Sequence, residues 1–329
     1  MSSGPLICPT YEPVPHWGNL PLGFSFNGDA NAVAIDSDDR VYVFNRGANP
    51  IVIFDSQGNF LDSWGAGEFD NPHSIRIDSS DNLYLVESRP GHVLQKRTKD
   101  GELLFQIGTR NEPAERQSGH YFNAPTDVAI HPVTSEIFVS DGYGNSRIHR
   151  FSTEGEHILS WGEVGSAEGQ FYVPHSLAFL DEERLIVCDR ENFRLQIFSI
   201  DGEFLDQWHS FRPCNVVVSR QFGLVYVGEL GPAPAYRDLP RLGRTIAILD
   251  REGHEVGRIG SSLSGFGPDQ FTCPHGMALD SRGDLYVAEV ARTWMVNLMG
   301  EAPPLGEVIS LRKWRQTSEG PDEKGVQVA

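Results

Sequence analysis

A six-fold internal repeat constrains the fold of this 329-residue chain more than any other feature. One column of the repeat reads Asn31, His73, Thr126, His175, Asn215 and His275, each leading into an apolar run such as Ile75-Arg76-Ile77 or Met277-Ala278-Leu279. After a polar turn comes a second run rich in β-branched and aromatic residues, for example Val41-Tyr42-Val43. That run ends on a polar residue: Asn45, Glu87, Asp141, Asp189, Glu229 or Glu289. His73 to Glu87 is a step of 14 residues (87 less 73), and the other copies match it within one. A third run, as in Arg147-Ile148-His149-Arg150-Phe151, leads to a hairpin glycine (Gly58, Gly101, Gly155, Gly202, Gly253), as expected of turns that need positive φ. A fourth run ends in Trp-Gly or a variant, as at Trp64-Gly65 and Trp161-Gly162. Four short strands, six times over, predict an all-β chain folded as a six-bladed β-propeller. Because Trp17-Gly18 precedes the first column, the N-terminal strand is expected to complete the last blade beside a C-terminal strand near Val308–Leu311. That pairing removes both exposed sheet edges at the seam. The expected organisation is an arm over 1–14, the propeller over 15–315 and a polar tail over 316–329.

The net charge of −18 excludes nucleic acid and anionic membrane surfaces as partners, since both are bound through clustered Lys and Arg. No apolar run approaches the ~20 residues needed to span a bilayer. The opening Met1-Ser2-Ser3-Gly4-Pro5 has neither a basic stretch nor an apolar core, so no signal peptide is read there. Cys8, Cys188, Cys214 and Cys273 lack the spacing of a disulfide framework. A cytoplasmic protein with a small-molecule partner is expected.

If the ring closes, alternate blades point His73, His175 and His275 at the axis, roughly 120° apart. Three neutral imidazoles with an open fourth position make a catalytic zinc arrangement. The plain alternative for a histidine in a strand, packed or solvated, is adopted for His92, His131, His149, His157 and His254. Arg46 and Arg190 directly follow the strand-end residues of blades 1 and 4, which face each other across the ring. Two guanidinium groups there suit a carboxylate-bearing substrate; alternatively each pairs with a neighbouring acid such as Asp189 or Glu191. Tyr143 stands two positions past Asp141 and either does proton chemistry or packs the channel mouth. With an ordinary pKa near 10 it needs a nearby cation to favour the phenolate. The strand-end acids are expected to bond backbone in the inter-blade turns, and Cys273 to be a buried thiol.

The segments Asp141-Gly142-Tyr143-Gly144-Asn145-Ser146-Arg147-Ile148 and Asp189-Arg190-Glu191-Asn192-Phe193-Arg194-Leu195 resemble NHL repeats. More narrowly, Pro125-Thr126-Asp127-Val128-Ala129 and Gly169-Gln170-Phe171-Tyr172-Val173-Pro174-His175-Ser176-Leu177-Ala178 are similar to the peptidyl-α-hydroxyglycine α-amidating lyases, six-bladed zinc propellers. The resemblance covers most of residues 25 to 300. It implies that His73, His175 and His275 hold Zn²⁺, that Tyr143 is catalytic, and that Arg46 and Arg190 are active-site arginines. The chain departs from the family at Gly144, where the lyases carry a disulfide cysteine, and at Gly276, where they carry an aspartate linked to a structural Ca²⁺. Calcium is therefore not expected here. The activity implied is zinc-dependent cleavage of the C–N bond of an α-hydroxyglycine-type amide to an amide and glyoxylate. Two alternatives stand beside it. One is a zinc propeller enzyme acting on another small hydroxy or carboxylate substrate, as a hydrolase or hydratase. The other is a non-catalytic NHL interaction scaffold.

Overall fold

The structure is a computed structural model that describes residues 8–231, 243–261, 263–298, 300 and 308–317. The repeat folds as expected, into six four-stranded antiparallel sheets among the described residues. Blade 1 runs from Ala32 to Trp64, blade 2 from Pro72 to Ile107 and blade 3 from Asp127 to Trp161. Blade 4 spans Pro174 to His209 and blade 5 Pro213 to Ile259. Blade 6 takes two strands from Pro274–Leu279 and Leu285–Glu289 and is completed by Leu311–Gln316 and the N-terminal Tyr11–Val14.

The seam is where expected, but its strands are shifted. The closing pair is Tyr11↔Gln316 to Val14↔Lys313. The N-terminal strand thus lies within residues 1–14, read above as an arm, and ends three residues before Trp17. Two prolines, Pro13 and Pro15, bracket its end, and proline suits an outermost strand because its missing N–H need not be satisfied by a neighbour. The C-terminal strand lies at Leu311–Gln316 rather than Val308–Leu311 and reaches one residue into the expected tail; residues 318–329 of that tail are outside the described residues.

The apolar side chains do not form one central core. Among the described residues they form six layers, each shared by two adjacent blades, and one smaller cluster of Cys214, Leu230, Cys273, Val290 and Trp294. Val33, Val43 and Phe54 of blade 1, for example, pack on Tyr286 and Ala288 of blade 6. The hairpin glycines and the fourth-strand tryptophans turn out to be one feature. Gly253 has φ +86, and a Cβ there would lie 2.4 Å from the Trp208 ring of its own blade's predecessor. Gly202 stands likewise against Trp161. Gly58 and Gly101 meet Trp17 and Trp64 in the same way, whereas Gly155 of blade 3 meets Ile107, the residue that stands in place of the indole in blade 2. The inner strands are mostly buried, the outer ones mostly exposed or half-buried, and the six inner strands surround the axis. No helix among the described residues is long and apolar enough to cross a membrane.

Candidate functional site

Strand pairing, rather than spacing, fixes which residues share the axial column. The residue after each histidine pairs with the residue before the strand-end acid: Ser74↔Val86, Ser176↔Cys188 and Gly276↔Ala288. In blade 5 that place is held by Asn215, opposite Gly228. The axial residue of blade 5 is therefore Cys214, not Asn215. The equal spacing misleads because this hairpin encloses one residue more than that of blade 2, as blade 3's does between Asp127 and Ser140.

His73, His175 and His275 do converge. Their ligand atoms lie within 4.8 Å of one another, and all three are buried. Their ring centroids are 4.8 to 5.1 Å apart. Each Nδ1 meets a backbone carbonyl of the following blade: Thr126 O at 2.5 Å, Cys214 O at 2.7 Å and Asn31 O at 2.9 Å. A carbonyl only accepts, so each Nδ1 carries the proton and each Nε2 keeps its lone pair. The blades without histidine thus set the tautomer of those with it, the role usually played by a metal ligand's outer partners. Burial, followed by the neighbouring imidazoles and arginines, holds His73 and His175 well below the usual histidine range. Burial, with Arg46 and Arg190 adding to it, depresses His275 to about 3. Three neutral imidazoles with inward lone pairs are the donor set a zinc ion requires, and the three residues fit such an ion.

Tyr143 lies directly at this centre. Its hydroxyl donates to His175 Nε2 at 2.9 Å and stands 3.2 Å from His73 Nε2. Burial pushes the phenol above its ordinary pKa; Arg190 and Arg46 pull the other way but do not outweigh it. The two arginines by themselves therefore do not favour the phenolate, because desolvation is the larger effect. The Arg190 guanidinium lies 5.5 Å from the centre of the Tyr143 ring. Arg190 does pair with a neighbouring acid, its Nε donating to Glu191 at 2.8 Å. Glu191 in turn accepts from Arg212 at 2.8 Å, so one carboxylate orients two guanidinium groups. Arg46 is held similarly, donating to Thr293 Oγ1 at 3.0 Å, with Asp29 3.6 Å away. Thr293 itself donates to Asp29 at 2.6 Å. The Cys214 thiol lies beside Arg190 and 3.5 Å from His175 Nδ1; burial, against the pull of Arg190, pushes it up to about 11. Sequence reading missed Cys214, Glu191's bridging and the Asp29–Thr293 support. Only hairpin register could have exposed the first.

The strand-end acids do what was expected of them. Asp189 accepts from the Tyr172 amide at 2.7 Å, and Glu289 from the amides of Thr272 and Cys273 at 2.6 and 2.9 Å. Each therefore ties down the segment leading into its own blade's axial residue. Cys273 is buried as expected and is not among the converging groups.

Below the histidines the axis is closed. Asp127 accepts from Ser74 and, at 2.6 Å each, from Ser176 and Arg76. A space of about 10 Å³ separates this floor from the imidazoles. A structural calcium does not fit. Gly276 offers no carboxylate, and even a Cβ there would come 2.6 Å from the Ala32 Cα. Gly144 is equally closed to a side chain, with Asn123 Oδ1 2.1 Å from the place of a Cβ. The four cysteines are free.

Comparison with known proteins agrees with this architecture. An NHL-repeat family model matches residues 171–198. Peptidyl-glycine alpha-amidating monooxygenase of Mus musculus is 37% identical over 206 residues, 53% of this chain and 21% of that protein. Peptidyl-alpha-hydroxyglycine alpha-amidating lyase 1 of Drosophila melanogaster is 32% identical over 248 residues, 69% of this chain and 44% of that protein. NHL repeat-containing protein 3 of Homo sapiens is 28% identical over 284 residues, 80% of this chain and 78% of that protein. The chain thus spans about a fifth of the first relative's length and under half of the second's.

Proposed function

We propose, from the premise that this chain is an NHL-repeat β-propeller similar to the peptidyl-α-hydroxyglycine α-amidating lyases, that it is a zinc-dependent carbon–nitrogen lyase. Its substrate would be a small carbinolamide, R-CO-NH-CH(OH)-COOH, cleaved to R-CO-NH₂ and glyoxylate. One observation carries this: a tyrosine hydroxyl touches two of three converging imidazoles, with two arginines close enough for their charge to bear on it. Zinc on His73, His175 and His275 would supply Lewis-acid polarisation of a substrate oxygen. Arg46 and Arg190 would hold the substrate carboxylate, each oriented by its own acid, Asp29 and Glu191. Tyr143, once its phenol has lost its proton, would take the hydroxyl proton of the carbinol carbon. The C=O of glyoxylate then forms as the C–N bond breaks, and the departing amide nitrogen collects the proton. Arg190 and Arg46 are the groups that favour the phenolate.

The test is glyoxylate release from a panel of α-hydroxyglycine amides by protein stripped of metal and then reloaded with Zn²⁺. Release that depends on zinc, at about one ion per chain, is expected. A zinc-loaded protein that releases no glyoxylate from any of them would leave a zinc enzyme for another small hydroxy or carboxylate substrate. A second reading is a non-catalytic scaffold: NHL repeat-containing protein 3, similar over most of both chains, carries a name that states a repeat and no activity. A chain that retains no metal would favour it over either enzyme. The free cysteines are consistent with a cytoplasmic setting.

A further inference from the structure

The layer beneath the histidines is built from the residues that follow the axial column: Ala32, Ser74, Asp127, Ser176, Asn215 and Gly276. Asp127 is its hub and is nearly inaccessible, with a side chain 2% exposed. Its carboxylate accepts from Ser74, the neighbour of His73, and from Ser176, the neighbour of His175, at 2.6 Å. The third histidine strand joins through Asn215, which donates to Ser176 at 3.1 Å and accepts from the Met277 amide at 3.1 Å. Arg76 crosses the same layer. Its Nη2 is 2.6 Å from Asp127 and 3.4 Å from Ser176, and its Nη1 is 3.4 Å from the Met277 carbonyl. One guanidinium from blade 2 therefore touches blades 3, 4 and 6 across the ring centre.

A buried carboxylate surrounded by hydroxyls and carbonyls needs a positive charge nearby, because an unpaired one costs far more than its hydrogen bonds return. An ion from solvent is one way to supply that charge. Gly276 offers such an ion no carboxylate, while the Arg76 guanidinium already lies 2.6 Å from Asp127. We propose that Arg76 is the fixed cation of the ring centre, a positioning residue that neutralises Asp127 and holds the three histidine strands in register from below. The guanidinium is suited to this: it is planar, permanently charged and directs several N–H groups at once, where a metal ion would need several oxygen ligands. The inference concerns the floor alone and stands whether or not the reaction proposed above is the right one.

Three substitutions, all in the zinc-replete full chain, separate charge from bulk. Arg76→Met keeps the alkyl volume and loses the charge; Arg76→Lys keeps the charge; Arg76→Ala opens the space to a solvent ion. Breaking a buried pair in a domain of this size should lower Tm by roughly 4–7 °C. That fall is expected for the Met and Ala variants and a smaller one for Lys. Millimolar Ca²⁺ should recover part of the loss in the Ala variant and leave the wild type unmoved. Replacing zinc by Co²⁺ gives a second readout: the visible bands, which report the arrangement of the imidazoles, should shift in the Met variant and stay near wild type in the Lys variant. If Met and Ala fail to accumulate while Lys folds, the requirement for charge is met. A Met variant as stable as the Lys variant with an unchanged Co²⁺ spectrum would overturn the proposal. So would a wild-type chain that binds Ca²⁺ at one ion per molecule in equilibrium dialysis.

Discussion

Each axial histidine is oriented by an oxygen that belongs to a neighbouring blade's backbone, so its own side chain is the only part of the arrangement a sequence displays. That is why His73, His175 and His275 were legible from a column of residues while their acceptors, Thr126 O, Cys214 O and Asn31 O, were not. Arg46, Arg190, Tyr143 and the pairing of Arg190 with Glu191 were named from the sequence, but the rest of their settings was not, because Arg212, Asp29 and Thr293 approach them only after folding. Tyr143→Phe removes one hydroxyl and no packing. Metal content should stay at the wild-type value while kcat falls by about 10²–10⁴-fold with KM little changed; turnover near wild type at equal metal occupancy would remove the phenol from the chemistry. Glu191→Gln should raise KM for carboxylate substrates, since Arg190 then loses the partner that directs it. The same change has a pH signature. Burial alone would raise the Glu191 pKa, but Arg190 and Arg212 hold it below 4.5. A carboxylate depressed in the folded state adds stability above its ordinary pKa and loses it as pH falls through the folded value. Below about pH 4.5 the Tm of wild type should therefore decline more steeply than that of Glu191→Gln; parallel curves would deny the ion pairs any share in stability.

At the scale of the element, the unit is a hairpin tied at its inner end by an acid. Glu289 shows the device in full: it accepts from the Thr272 and Cys273 amides and pairs with Arg312 at 2.6 Å, fixing the chain just before His275. Glu289→Ala should leave those amide donors without a partner and a buried guanidinium without its counter-charge. A Tm fall of roughly 4–7 °C is expected, with zinc affinity weakened through His275, to be read by competition with a chelator. Unchanged affinity would mean that the tie supports the blade but not the site. The elements themselves were readable because hairpin glycines, indoles and alternating runs each answer a local steric demand. Blade 5 was misread by one place because a hairpin can absorb an extra residue without altering its apolar pattern; only the ladder Asn215↔Gly228 reveals it.

For the whole molecule, six shared layers make each blade's stability depend on its neighbours, and the ring has one place where that dependence is completed by strands from opposite ends of the chain. Deleting residues 1–14 removes the strand Tyr11–Val14, its ladder to Leu311–Gln316 and the Tyr11–Tyr226 hydrogen bond at 2.8 Å. The truncated protein should melt earlier and aggregate through the bared edge, as followed by light scattering; a monomer of wild-type Tm would show the seam to be dispensable. The seam also imposes an order in time. During synthesis His73, His175 and His275 have all left the ribosome before Leu311–Gln316, so the histidines exist as a sequence well before they exist as a triangle. Blade 6 cannot finish until that last strand arrives and the first one returns to meet it, and until then His275 has no fixed distance from the other two. With zinc held as proposed, a nascent chain should accordingly have no high-affinity hold on the ion, and its acquisition would be one of the final events in the making of the polypeptide rather than a nucleus for it.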